Sequence, residues 1–145
     1  MAVKVAINGF GRIGKAILRA NYERDLNCPP LQIRAINDLG NPEVNCHLTK
    51  FDSVHGKFNS EVFFENNKMY VGKDEIHMFS ERDPSLLPWQ ELDIDVVLEC
   101  TGFFTKKVKA LEHIKAGAKR VLISAPSSDA DATIVYGVNH NHLSK

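Results

Sequence analysis

At 145 residues the chain is long enough for one domain with a sizeable core. Its 43% apolar and 25% charged residues are those of an ordinary globular protein. Eighteen basic and eighteen acidic side chains cancel, which removes nucleic acid and membrane surfaces as electrostatic partners.

The run Val3 to Asn8 is β-branched and nearly all apolar, the pattern of a buried parallel strand. Broken by Lys4, it is too short for a signal-peptide core or a bilayer span. Gly9, Gly11 and Gly14 follow, and then Ile13, Ala16, Ile17 and Ala20 repeat at helical spacing, predicting a helix with those four toward the sheet. Strand, glycine turn and helix in that order form a phosphate cradle: Gly9 for the turn, Gly11 for backbone approach to a pyrophosphate, Gly14 for close helix packing. Arg12 and Lys15 place positive charge beside it.

A turn-rich stretch, Asp25 to Pro30, leads to a second strand, Leu31 to Asn37. Asn37 and Asp38 end it where this kind of fold places a carboxylate for the adenosine ribose hydroxyls, which also repels a 2′-phosphate and so favours NAD over NADP. Asn41 and Pro42 predict a capped helix over 42–50. Runs at 61–65, 68–71 and 75–79, divided by Asn66-Asn67 and Gly72 to Asp74, predict a small antiparallel insertion. One helical turn is expected over 83–89.

The alternation then resumes with a strand over 95–100, ending at Thr101-Gly102. A helix is predicted over 106–116, with Val108, Leu111 and Ile114 toward the sheet and Gly117 as its stop. Strands are predicted over 120–124 and 133–138. The fold class is α/β, a doubly wound, mostly parallel Rossmann-type sheet with an antiparallel insertion. Ligands bind such sheets at the strands' carboxyl ends, so Thr101-Gly102, Ser124 to Pro126 and the loop carrying Arg82 are expected to converge on one crevice.

Cys28, Cys46 and Cys100 form neither a disulfide framework nor a CxxC pair, which fits a reducing cytoplasm. Cys100 continues an apolar strand and reads as packing. His140 and His142 lack a third ligand at metal spacing, so no metal is expected. Phe10, Phe63, Phe64, Phe103, Phe104 and Trp89 read as core or crevice lining.

The string Val5 to Gly14 closely resembles the opening of glyceraldehyde-3-phosphate dehydrogenases. So do Ala35 to Leu39, Phe51 to Lys57, Cys100 to Gly102 with Phe104, Ala116 to Lys119 and Val121 to Pro126, in register along essentially the whole chain. The resemblance implies oxidative phosphorylation of a sugar-phosphate aldehyde through a cysteine thioester, with hydride transfer to NAD. It places Arg12 and Ile13 by the pyrophosphate, Asp38 by the ribose, Arg82 by the adenine, and Thr101 and Ser124 toward the nicotinamide. A homotetramer is implied for the full-length family. Erythrose-4-phosphate dehydrogenases share these motifs, and a semialdehyde dehydrogenase or a non-catalytic nucleotide-binding module are further readings. The family's nucleophile motif, Ser-Cys-Thr-Thr-Asn-Cys, and its histidine base have no counterpart here. Residues 1–145 are therefore expected to be the NAD-binding domain, with the catalytic domain outside this chain and no turnover by this portion alone.

Overall fold

A computed structural model describes residues 1–24 and 27–143; positions 25 and 26 of the expected turn-rich stretch lie outside the described residues. Strands β1 (Val3–Asn8), β2 (Leu31–Asn37), β3 (Phe51–Asp52), β4 (Gly56–Lys57), β5 (Val62–Glu65), β6 (Lys68–Val71), β7 (Asp74–Phe79), β8 (Val96–Glu99) and β9 (Arg120–Ile123) alternate with helices α1 (Arg12–Glu23), α2 (Pro42–Lys50) and α3 (Lys107–Lys115). Seven strands form one sheet in the order β5-β6-β7-β2-β1-β8-β9, while β3 and β4 pair separately. All pairs from β7 through to β9 are parallel. The meander β5-β6-β7 is antiparallel, so the insertion is an extension of the main sheet. Asn66 and Asn67 both have positive φ, which makes their two-residue turn the hairpin type whose twist suits the strands.

Alternation along β1 assigns the two faces. Val5 and Ile7 point to the cluster that holds Leu18 of α1 and Cys46 of α2, with Ile33, Met69 and Ile76. Ala6 points the other way, to Trp89, Ile94, Val97, Ala116 and Ala118. Among the described residues no helix is long and apolar enough to cross a membrane.

Three expectations are corrected. In α1, Ile13 is 51% exposed, Ala16 and Ala20 are exposed, and Ile17 alone of the four turns inward, beside Gly14 and Leu18. The helix is rotated because Gly14 must face the sheet: a Cβ there would lie 2.4 Å from the Gly9 carbonyl oxygen. In α3, Val108, Leu111 and Ile114 are exposed, and Ala110 and His113 are the buried residues. A polar partner beneath the helix, Glu99, holds His113 inward. Residues 133–138 form no strand. That segment closes on itself, with the Val135 amide donating to Asn139 Oδ1 at 2.6 Å and Asn139 Nδ2 donating to the Thr133 carbonyl at 2.9 Å. Local asparagine and glycine turn chemistry there outweighs β propensity.

The stop of α3 follows its sequence signal. Gly117 has φ +108°, its amide donates to Ile114 O and that of Ala118 to His113 O, the paired bonds of a glycine C-cap.

Candidate functional site

Chain order reverses between β1 and β8, and the crevice opens at that point, as expected for a doubly wound sheet. A cavity of about 580 Å³ there is lined by Asn8, Gly9, Gly11, Asn37, Asp38, Leu39, Gly40, Glu81, Arg82, Cys100, Thr101, Phe103 and Phe104. Gly9, Gly11, Asn37, Asp38, Arg82 and Thr101 thus meet in one lining. Arg12, Ile13, Gly14, Gly102 and Ser124 do not contribute to it. Ser124 follows β9, the strand beyond β8; its amide extends the ladder to Glu99 O, and its side chain hydrogen-bonds to Cys100 of the lining.

The three glycines differ in what surrounds them. A Cβ on Gly9 would sit 2.7 Å from the Thr101 amide nitrogen, and its φ is +92°. On Gly14 it would strike the Gly9 carbonyl and come within 3.2 Å of Ile7. On Gly11 it would meet nothing within 4 Å, and φ there is −82°. Packing therefore explains Gly9 and Gly14, while Gly11 stands open beside the cavity. Gly11 also begins α1 without a side-chain cap. Helix geometry leaves the first-turn amides of Arg12, Ile13 and Gly14 without intrahelical acceptors, a ready seat for an anion.

Both flanking cations are held by neighbouring groups. Arg12 is ion-paired with Asp52 of the β3–β4 hairpin. Lys15 bonds to the Phe10 carbonyl and, at 2.9 Å, to Asn45 Oδ1, with its ammonium over the Phe10 ring. Burial lowers the Lys15 pKa, against the opposing pull of Asp38.

Asp38 links the second strand to the glycine turn. Its Oδ2 accepts from the Phe10 amide at 2.8 Å, and its Oδ1 from the Gly40 amide at 2.8 Å and Asn45 Nδ2 at 3.1 Å. Burial opposes its charge, but these bonds and the nearby Lys15 hold the carboxyl below the usual carboxylate range.

Beneath the crevice lies a set of buried polar groups that the sequence reading missed. Asn37 Nδ2 donates to Asn8 Oδ1 and to the Glu81 carbonyl, and Asn37 Oδ1 accepts the Glu81 amide, all at 2.8 Å. Glu99, 1% exposed, accepts from Asn8 Nδ2 at 2.7 Å, from His113 Nε2 at 2.6 Å and from both the amide and hydroxyl of Thr101. Trp89 Nε1 donates to His113 Nδ1 at 3.0 Å. Burial pushes the Glu99 carboxyl up, yet the bonds from His113, Thr101 and Asn8 outweigh it and leave it below its ordinary value. The available signal was a polar residue closing each apolar strand, Asn8 after Val-Ala-Ile and Glu99 after Val-Val-Leu.

Cys100 packs on the core beside the crevice, and burial raises its thiol pKa. Cys46 is buried and raised to about 11. Phe103 is 86% exposed at the cavity, and Phe63 lies outside the core, stacked on Tyr70. His140 Nδ1 accepts the Gly137 amide within a local turn.

Comparison with known proteins agrees with this geometry. The family model described as glyceraldehyde 3-phosphate dehydrogenase, NAD binding domain, matches residues 3–107, more than half of the chain. The plasmid-borne glyceraldehyde-3-phosphate dehydrogenase of Cupriavidus necator is 56% identical over 144 residues, and its chromosomal counterpart 54%. The enzyme of Xanthobacter flavus is 53% identical over 143 residues. Each alignment takes in 99% of this chain but only 42–43% of the relative, so the chain spans less than half their length.

Proposed function

The chain belongs to the NAD-binding domain family of glyceraldehyde-3-phosphate dehydrogenases, and from that premise we propose that its own crevice residues hold NAD for an aldehyde-oxidising enzyme. The observation that carries the reading is the contrast among the three motif glycines: of Gly9, Gly11 and Gly14, Gly11 alone has no close contact to explain it, and it opens onto the cavity. The diphosphate sits against Gly11 and the first-turn amides of Arg12, Ile13 and Gly14. Asp38, anchored by the Phe10 amide, keeps acceptor capacity for the ribose hydroxyls and repels a 2′-phosphate. Arg82 lies by the adenine, and Thr101 with Gly102, and Ser124 beyond, flank the nicotinamide side.

NAD supplies the hydride acceptor; the substrate of the whole enzyme is a sugar-phosphate aldehyde, taken through a cysteine thioester to an acyl phosphate. Residues 1–145 provide the cofactor half of that site, in a cytoplasmic homotetramer. None of the three cysteines here suits the nucleophile: Cys46 and Cys100 have raised pKa values, and Cys28 precedes β2 at the end of the sheet away from the crevice. These residues alone therefore release no NADH from glyceraldehyde 3-phosphate, and measurable release would refute this division of labour. Calorimetric titration with NAD and with NADP tests the cofactor reading. Saturable binding with NAD favoured supports it, and equal dissociation constants defeat it.

A further inference from the structure

The polarity of the hydrogen bonds beneath the crevice is set from both ends. At one end the Trp89 indole can only donate, so His113 Nδ1 accepts and its proton resides on Nε2, facing Glu99. At the other end the Glu81 peptide fixes Asn37, because its amide donates to Asn37 Oδ1 and its carbonyl accepts from Asn37 Nδ2. Asn37 Nδ2 in turn requires Asn8 to present Oδ1 to it and Nδ2 to Glu99. The remaining donors on Glu99 are the backbone amide and the hydroxyl of Thr101. Each oxygen of Glu99 thus faces at least one donor that has no alternative orientation: Asn8 Nδ2 and His113 Nε2 at Oε2, and the Thr101 amide at Oε1. An amide at this position would set its NH2 against one of these fixed donors, whichever way it turned.

This arrangement joins the ends of β1, β2 and β8 and the loop carrying Arg82, the segments that frame the cavity. We propose that Glu99 is a positioning residue for the cofactor crevice, its carboxylate fixing Thr101 and, through Asn8 and Asn37, the Glu81–Arg82 loop. The proposal rests on the cofactor reading above. Glu99→Asp keeps a carboxylate among these donors, whereas Glu99→Gln sets an NH2 against one of them.

The test uses the full chain, with NAD affinity from calorimetry and the His113 tautomer from long-range 15N–1H NMR. In the unsubstituted chain His113 shows a protonated Nε2 and a bare Nδ1. Glu99→Gln weakens NAD binding on the order of tenfold or more, and Glu99→Asp, which keeps the charge, retains more of the affinity than Glu99→Gln. A Glu99→Gln chain that binds NAD as well as the original overturns the proposal, as does a Glu99→Asp chain no better than Glu99→Gln. A protonated Nδ1 in the unsubstituted chain overturns the polarity itself. Failure of the unsubstituted chain to bind NAD refutes the cofactor reading instead, and with it the positioning role, while the nitrogen shifts still report the relay.

Discussion

The Asp38 carboxylate accepts the Phe10 amide at 2.8 Å, bonding the end of the second strand to the middle of the glycine turn. The residue proposed to hold the ribose therefore also sets the shape of the phosphate cradle. Replacing it by asparagine turns an amide NH2 toward either the Phe10 amide or the Gly40 amide and Asn45, all donors in the native bonds. Asp38→Asn is expected to cost about 1 kcal/mol of stability at neutral pH and to narrow the preference for NAD over NADP. Denaturant titration and paired cofactor titrations check the two effects separately.

The same carboxylate makes stability depend on acid. Its folded pKa is lowered, so its contribution is fully present above the unfolded value of about 3.9 and disappears as pH falls through the folded value. Glu99, also lowered, acts in the same direction. The denaturant midpoint of the native chain should fall as pH drops below about 4, and its gap over Asp38→Asn should narrow as the pH falls further. A constant gap would show that Asp38 has no depressed pKa.

The three motif glycines separate fold from function. Gly9→Ala combines positive-φ strain of about 1–3 kcal/mol with a clash against the Thr101 backbone. Gly14→Ala forces α1 off β1 at about 1–3 kcal/mol. Gly11→Ala meets nothing, so stability should change by no more than about 0.5 kcal/mol, while NAD affinity falls on the order of tenfold, equivalent to about 1.4 kcal/mol. Thermal melts set beside cofactor titrations decide; a Gly11→Ala chain that melts early would make that glycine structural.

The face of α3 is testable in the same way. Val108→Ser, at a residue 64% exposed, should leave the melt unchanged to within about 0.5 kcal/mol. Ala110→Leu, at a residue 5% exposed, should overpack the helix against the sheet by about 1–3 kcal/mol. The reverse ranking would restore the face that apolar spacing suggested.

That last contrast shows where the sequence was legible. Val3 to Asn8 announced a buried strand, Asn41-Pro42 a helix start, Asn66-Asn67 a hairpin and Gly117 a helix stop, because each signal is local in its physics. Apolar spacing misjudged the inward faces of α1 and α3 for the same reason. Gly14 faces inward to make room for the Gly9 carbonyl, and His113 does so for Glu99 and Trp89, which are distant along the chain. Gly9, Gly11, Asn37, Asp38, Arg82 and Thr101, singled out by sequence, share one cavity lining, whereas Arg12, Ile13, Gly14, Gly102 and Ser124 lie outside that lining. The foundation beneath it was not legible: a buried glutamate and a buried histidine look like surface residues until their partners are known.

Mapping amide shifts as NAD is added tests the central claim most directly. Saturable perturbations are predicted at Gly9 to Gly14, Asp38, Arg82 and Thr101, with the β5–β6 hairpin unmoved. Perturbations centred elsewhere, or none at saturating NAD, would contradict it.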